Sequence, residues 1–418
     1  MLKRMQLLAL QYMLQGMNVF LTGDAGTGKS YVISKFIEKC KENNKQVVMC
    51  APTGVAAINI GGVTIHRVFK LPIKPLIESV KSIPLTLKDA DVLLIDEISM
   101  VRIDIFDYIA SVIFALNRFR RQHGKDDVQV ILVGDFFQLP PVLTDKDREV
   151  LERYKYRDRL GKGFAFQSQY WDAFGFVCIQ LDEVVRQSDI DFISNLNMIR
   201  HGDYRGIRYF NEMSIKHEID GAILICGTNK AVNQKNEIEY NKLDSKEFVY
   251  ESTITGTVAD SDKAVPDVLR LKVGCRVMTV VNDSSGDYQN GTLATVTKLT
   301  KDRVIILTDT GTIVELEPYT WDINNYNPKE AKGRVKINLN CIGTFTQYPL
   351  KLAYAATVHK SQGQTFDRVN LDPYCWDCGQ LYVALSRVRT IGGLHLTQPI
   401  SNRNLITSRD VINFYINM

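Results

Sequence analysis

Asn18-Val-Phe-Leu-Thr22-Gly23-Asp24-Ala25-Gly26-Thr27-Gly28-Lys29-Ser30 decides the fold of this 418-residue chain. Asn18–Thr22 reads as an apolar strand. The next eight residues fit G-x-x-x-x-G-K-[ST] without a mismatch, and Tyr31–Asn43 carries apolar residues at helical spacing. A strand, a glycine-rich loop and a helix, in that order, form the context this motif requires. The loop Gly23, Ala25, Gly26, Thr27, Gly28 can turn its backbone N–H groups toward a phosphate at the helix N-terminus. Lys29 then reaches the β- and γ-phosphates and Ser30 ligates Mg2+. Alone, the loop says only nucleoside triphosphatase or kinase.

Outward from this loop, apolar strands alternate with helices. Gln46–Ala51, Val92–Asp96 and Gln129–Val133 read as strands, and Asp104–Arg121 as a long helix. Short, continuous apolar strands between helices predict a parallel sheet covered on both faces. The first domain is therefore a doubly wound α/β unit over 1–180. Leu93-Leu-Ile-Asp96-Glu97 ends one strand in two carboxylates. On the same sheet as the loop, Asp96 holds Mg2+ through water and Glu97 polarises the attacking water. An acid able to act as base favours hydrolysis over transfer. Val133-Gly-Asp-Phe-Phe-Gln138-Leu-Pro-Pro141 ends the next strand, where Gln138 is placed to sense the γ-phosphate or simply to lie in a proline-braced turn. The charged stretch Thr144–Lys162 reads as a solvated loop or helix.

The second half opens with a strand at Gly221–Cys226 and a helix over Lys230–Leu243. From about Leu271 the texture changes to short β-rich runs: Arg276–Val281, Leu293–Leu299, Arg303–Leu307 and Thr312–Leu316. Asn290-Gly291 and Asp309-Thr310-Gly311 separate them as turns. α/β character returns at Leu350–His359. The second α/β domain is thus expected over 181–271 and 346–418, with a small β-barrel inserted at 272–345. Arg186 and Arg387 stand out in this half, either as cations that meet a γ-phosphate or as members of surface ion pairs.

Composition is that of a globular protein: 45% hydrophobic and 23% charged residues, net charge +4. That balance excludes disorder and a disulfide scaffold, and it neither demands nor excludes a nucleic-acid partner. No apolar run approaches the ~20 residues that span a bilayer, so no membrane partner is expected. The eight cysteines are scattered. Cys375-x-x-Cys378 lacks the second ligand pair of a zinc site. Lys3 and Arg4 precede an apolar-looking run, but Gln6, Gln11 and Gln15 interrupt it, which favours an amphipathic helix over a signal peptide. The expected location is intracellular: cytoplasmic, or nucleoid-associated in a bacterium.

Candidate nucleic-acid contacts follow apolar runs, at the strand ends where open α/β sheets bind ligands. They are Pro52, Thr53 and Gly54; His66 and Arg67; Asn229; and Thr357, His359, Lys360 and Ser361, ahead of Gly363. Hydroxyls, His and Lys suit phosphate contacts, which position a strand without reading its sequence. Phe69 is placed either to stack on a base or in the core.

In order and spacing these segments resemble a superfamily 1 helicase, most closely the Pif-type (petite integration frequency) family, kin to RecD-like and Dda-like enzymes. The motifs are Ala51–Ala57 with Gly61–His66, Ile95–Met100, Gly134–Pro141, Glu183–Gln187 with Phe192–Gly202, Ala356–Gly363 and Tyr382–Arg387. Together they extend over nearly the whole chain. The chain differs from longer members in beginning almost at Gln6. The resemblance implies two RecA-like domains with ATP and Mg2+ between them. It assigns Gln6 to reading adenine, Arg186 and Arg387 to the arginine-finger role, and Gly363 to the nucleotide site. A wedge that splits the duplex is implied within 67–89. The implied activity is ATP-driven 5′-to-3′ translocation on single-stranded DNA and unwinding at single-strand/duplex junctions, by a monomeric motor. Read from the residues alone, an ATP-driven clamp or switch and an RNA helicase remain open alternatives.

Overall fold

The computed structural model describes residues 2–72, 74–77, 82–183, 189–283, 285–331 and 334–418. Within these, the side chains of 55, 158, 261, 326–331 and 334–339 are not described. The chain forms two compact units, one of Met1–Arg186, Asn324–Cys341 and Arg409–Met418, the other of Gln187–Ile323 and Ile342–Ser408.

The first unit begins with helix α1 (Arg4–Leu14), strand β1 (Val19–Gly23) and helix α2 (Lys29–Glu42). Next come β2 (Val47–Ala51), α3 (Gly54–Asn59), β3 (Val63–Thr64) and α4 (Ile65–Phe69). β4 (Val92–Ile95), α5 (Ile103–Gln122), β5 (Gln129–Val133), α6 (Asp145–Leu151) and β6 (Val177–Leu181) complete it. The six strands form one parallel sheet, ordered β3-β2-β4-β5-β1-β6. All five residues of β1 and of β5 are buried, as continuous apolar runs covered on both faces demand. Because strand side chains alternate, Val19 and Leu21 join Ala9, Met13, Val32 and Phe36 from α1 and α2. Phe20 points the other way, into rings of Phe136, Trp171 and Phe414. Each such buried side chain contributes ~1.5–3 kcal/mol. The charged stretch after residue 144 is helical, and Leu151, Tyr156 and Leu160 from it pack on Ile103.

The second unit opens with α7 (Ile190–Arg200), α8 (Arg205–Met213), β7 (Ile223–Cys226) and α9 (Asn229–Asn241). A β-rich region follows: β8 (Glu247–Glu251), β9 (Thr253–Gly256), β10 (Val268–Lys272), β11 (Arg276–Thr279), β12 (Leu293–Leu299), β13 (Val304–Thr308) and β14 (Ile313–Leu316). Then come β15 (Tyr319–Ala331), β16 (Arg334–Gln347) and β17 (Leu350–Leu352). The chain returns through β18 (Ala355–Thr357), α10 (Val358–Ser361), β19 (Val369–Leu371), α11 (Gln380–Leu385) and β20 (Leu394–Leu396). β18-β7-β19-β20 is a four-stranded parallel sheet. The last helix, α12 (Arg409–Ile416), belongs to the first unit.

Three features differ from the expected boundaries. The β module is wider than 272–345: β17 closes the five-stranded sheet beside β11, and the β8–β10 hairpin shares its core through Tyr250, Leu269 and Leu271. β15 and β16 are long strands, expected only as undifferentiated barrel sequence, and 324–341 groups with the first unit. Residues 409–418, assigned from sequence to the second α/β domain, pack on the first, because Phe414 completes its aromatic core. Among the described residues no helix is long and apolar enough to cross a membrane.

Candidate nucleotide and nucleic-acid sites

Sheet order sets the first site. β1 lies next to β5, and β5 next to β4, so the loops leaving their C-terminal ends are neighbours. The loop after β1 wraps onto α2. Gly28 is its N-cap at φ +84°, and a Cβ there would lie 2.6 Å from Gln6 Nε2, so the left-handed turn and the close approach both require glycine. Gln6, buried on α1, donates from Nε2 to Thr27 O (2.9 Å) and accepts at Oε1 from Lys3 N (3.0 Å). The residue implied to read adenine therefore braces the phosphate loop from below. The Thr27 hydroxyl donates to Asp24 O (2.9 Å), and Lys29 Nζ donates to the carbonyls of Gly23 (2.8 Å) and Asp24 (3.0 Å). The loop is thus curled round the Lys29 ammonium, with Ala25 and Gly26 half-buried and Ser30 exposed at the helix start.

Asp96 and Glu97 follow β4. Glu97 has φ +50° and ψ +46°, a left-handed conformation that costs a non-glycine residue roughly 1–2 kcal/mol and that concentrates at functional sites. Glu97 N donates to Asp96 Oδ1 (2.9 Å). Burial raises the Asp96 carboxyl above its usual range, while that N–H and the Lys29 charge pull it back. After β5 the chain turns at Gly134, where a Cβ would meet Ile98 at 3.0 Å. Asp135 then organises the turn: its carbonyl accepts from Gln138 N (2.9 Å) and its Oδ1 from Phe137 N (3.1 Å). Gln138 is nearly buried beside the acids' strand.

Arg387 is also held. Only 2% exposed, it follows α11 and donates from Nε to Val383 O (2.8 Å), from Nη1 to Ser361 O (3.2 Å) and Gln364 O (2.9 Å), and from Nη2 to Ser386 Oγ (2.7 Å). It is no surface ion-pair arginine; it clasps the segment around the exposed Gly363. Arg186 lies outside the described residues, as do residues 73 and 78–81 of the stretch expected to contain the wedge.

The candidate nucleic-acid residues share one local design in both units: a threonine at the end of a parallel strand, or two residues beyond it, caps the next helix. Thr53 accepts from Ala56 N (3.2 Å) and Thr64 from Arg67 N (3.3 Å) in the first unit. In the second, Thr228 accepts from Ala231 N (3.3 Å) and Thr357 from Lys360 N (3.1 Å). Such a cap satisfies an otherwise orphaned helix N–H. Pro52 and Gly54 flank the first cap, Asn229 is exposed after the third, and Lys360 is exposed after the fourth. His66 and His359 are half-buried and held below the usual imidazole range by burial, with Arg102 adding to the effect at His66. They act as neutral rings at pH 7. Arg67 Nη1 donates to Asn324 O (3.0 Å).

Two expected contacts are corrected. Phe69 is 2% exposed and belongs to the core, because α4 turns its apolar edge inward. Ser361 is fully buried and its hydroxyl donates to Val358 O (2.9 Å). Two further residues lie close to His359 and Lys360. Trp376, in the loop after β19, is 53% exposed. Its Nε1 donates to Gly227 O (3.0 Å), and its ring lies near-parallel to His359, centroids 6.1 Å apart. Lys351 on β17 is pushed down to about 8 by burial and by Lys360. The only sequence signal for Trp376 was its place inside Cys375-x-x-Cys378; both cysteines are buried, and burial pushes the Cys375 thiol up to about 12.

A phosphate loop on β1, paired acids on β4 and a polar turn on β5 define a P-loop nucleoside triphosphatase with a RecA-like core. Over residues 6–206 the chain matches the PIF1-like helicase family. It is 31% identical over 409 residues to the ATP-dependent DNA helicase Pif1 of Campylobacter jejuni, covering 88% of this chain and 86% of that one. Among solved structures, Pif1 from Bacteroides sp. in complex with ADP-AlF4 superimposes with a TM-score of 0.87 at 33% identity, covering 100% of this chain and 97% of that one. Bacteroides Pif1 bound to single-stranded DNA gives 0.68 at the same identity and coverage. The chain belongs to the PIF1-like helicase family.

Proposed function

We propose that this protein is an ATP-dependent DNA helicase that translocates on single-stranded DNA and opens duplexes at single-strand/duplex junctions. The observation that carries the ATPase half is the convergence of Lys29, Asp96, Glu97 and Gln138 on the ends of three adjacent parallel strands. Lys29 binds the β- and γ-phosphates, Glu97 takes the proton of the attacking water, and Gln138 orients that water. Ser30 and Asp96 are hard oxygen donors that would hold Mg2+. When bound, the ion neutralises charge developing on the phosphates. Gln6 fixes the loop next to which adenine binds. Arg387 supplies transition-state charge, and the carbonyls of Ser361 and Gln364 set its fork.

The DNA half rests on the repeated strand–threonine–helix junctions and on the DNA-bound relative. Thr53, Thr357, Lys351 and Lys360 meet phosphates, which binds without preference for sequence. Trp376, beside the neutral His359, stacks on one base. A mild net charge of +4 suits such a track, because a few local contacts suffice. One chain supplies all of these groups, so a single copy is the motor unit, and an intracellular location follows from a DNA substrate. A clamp or switch would hydrolyse ATP without separating strands. The deciding experiment is unwinding of tailed duplexes with 5′ or 3′ overhangs, in DNA and in RNA. DNA with a 5′ tail should open; opening of RNA alone, or no opening while DNA-stimulated hydrolysis persists, would overturn the reading.

A further inference from the structure

The mechanism leaves the end of the chain unused, and that end carries a phenol in the ATPase core. Tyr415 lies on α12. Its hydroxyl is 2.6 Å from Thr22 Oγ1, accepts from Phe136 N (3.2 Å) and donates to Asp135 Oδ1 at a longer 3.4 Å. A hydroxyl has one proton and two lone pairs. The Phe136 N–H takes one lone pair, and in the Thr22 pair either hydroxyl can be the donor. The ring stacks on Phe137, centroids 4.8 Å apart and 26° between planes, while neighbouring Phe414 anchors the helix in the aromatic core.

These partners lie at the end of β1 and in the loop after β5. Thr22, fully buried, immediately precedes Gly23, where the phosphate loop leaves β1. Asp135, also fully buried, holds the turn that presents Gln138 through both its carbonyl and its carboxylate. β1 and β5 are already paired as far as Leu21 and Val133; beyond that point the ladder stops, and the loops diverge. One phenol ties Thr22, one residue past the end of the ladder, to Asp135 and Phe136, two and three residues past it. We propose that Tyr415 is a positioning residue for ATP hydrolysis, setting the Gln138 turn against the phosphate loop. It acts through Thr22 and Asp135. This rests on the reading of Lys29 and Gln138 given above.

Tyr415→Phe removes only the hydroxyl and keeps the stack. A positional error at the water-orienting group lowers turnover while leaving nucleotide binding intact. The expected result is a kcat for DNA-stimulated ATP hydrolysis about five- to tenfold below the parent, the loss that one hydrogen bond sets. KM for ATP and affinity for single-stranded DNA should stay within about twofold. Thr22→Val should reproduce the loss and Thr22→Ser should spare it. The Thr22→Val/Tyr415→Phe double variant should be little worse than either single one, since both break the same link. A kcat within twofold of the parent in Tyr415→Phe, or fully multiplicative losses in the double variant, would overturn the proposal. If Tyr415→Phe does not fold, the Thr22→Val and Thr22→Ser pair decides alone. Lys29→Ala separates the two levels. If it still turns over, the reading of the site fails. If it is inactive while Tyr415→Phe is normal, only this inference fails.

Discussion

Replacing Trp376 with alanine should weaken binding of single-stranded DNA without touching ATP binding. The indole is 53% exposed, its edge is pinned by the bond from Nε1 to Gly227 O, and its backbone N is held by Gln380 Oε1 at 3.0 Å. A pinned ring is ordered before DNA arrives, so little of the stacking energy is spent on freezing it. One stacked base contributes ~1–3 kcal/mol, and each 1.4 kcal/mol is tenfold in Kd. The dissociation constant of an oligo-dT should therefore rise about 5- to 140-fold, and Trp376→Phe should recover part of it. The chain offers its own probe. Of its three tryptophans, Trp171 and Trp321 are 6% and 4% exposed, so quenching of tryptophan fluorescence by oligo-dT should come from Trp376 alone. Anisotropy titration gives affinity, and the quench gives stacking. An abasic oligomer of equal length should bind parent and variant alike, because only phosphates remain. Affinity within twofold of the parent in Trp376→Ala, or an undiminished quench in Trp376→Phe, would refute the stacking argument.

Three further outcomes are expected. Lys29→Ala should abolish ATP hydrolysis, measured by phosphate release with and without single-stranded DNA. Arg387→Ala should lower kcat by about 10³-fold or more while a fluorescent ATP analogue still binds; loss of its hydrogen bonds to Val383, Ser361, Gln364 and Ser386 should also lower the melting temperature, and Arg387→Lys, which keeps the charge but not the fork, should remain slow. Lys351 carries a proton that attracts phosphate and is lost as pH rises through about 8. DNA affinity of the parent should thus fall between pH 7 and 9 more steeply than that of Lys351→Met. The sign for stability is the opposite: a lysine whose folded value lies below 10.5 destabilises the fold while protonated, so Lys351→Met should gain most in melting temperature below pH 8, and the gain should fade at higher pH.

The first α/β core was legible because its signals are local. β5 falls at Gln129–Val133 as read, and the strand before Lys29 differs by one residue. Continuous apolar runs and a glycine loop are set by neighbours in the chain, so a short window contains the cause. What escaped depends on partners far away in sequence. Phe69 and an exposed aromatic look alike until α4 is docked. Ser361 looks like a phosphate ligand until its hydroxyl is seen turned back on Val358 O. Trp376 is an ordinary loop residue until Gly227, 149 positions earlier, offers its carbonyl. The β module was recognised by its turns but cut short, because its closing strand, Leu350–Leu352, lies beyond the long pair of β15 and β16.

The last helix makes the same point for catalysis. A phosphate loop can be read from eight residues, yet the position of the group that orients water depends on contacts spanning 393 and 280 residues. Motifs carry the reacting atoms because chemistry tolerates few residue types there. Positioning tolerates many, since any side chain that fills the same hydrogen bonds will serve, and it leaves no motif. A hydroxyl that joins the end of β1 to the loop after β5 is therefore visible only in the fold, and its effect is expected in turnover rather than in binding.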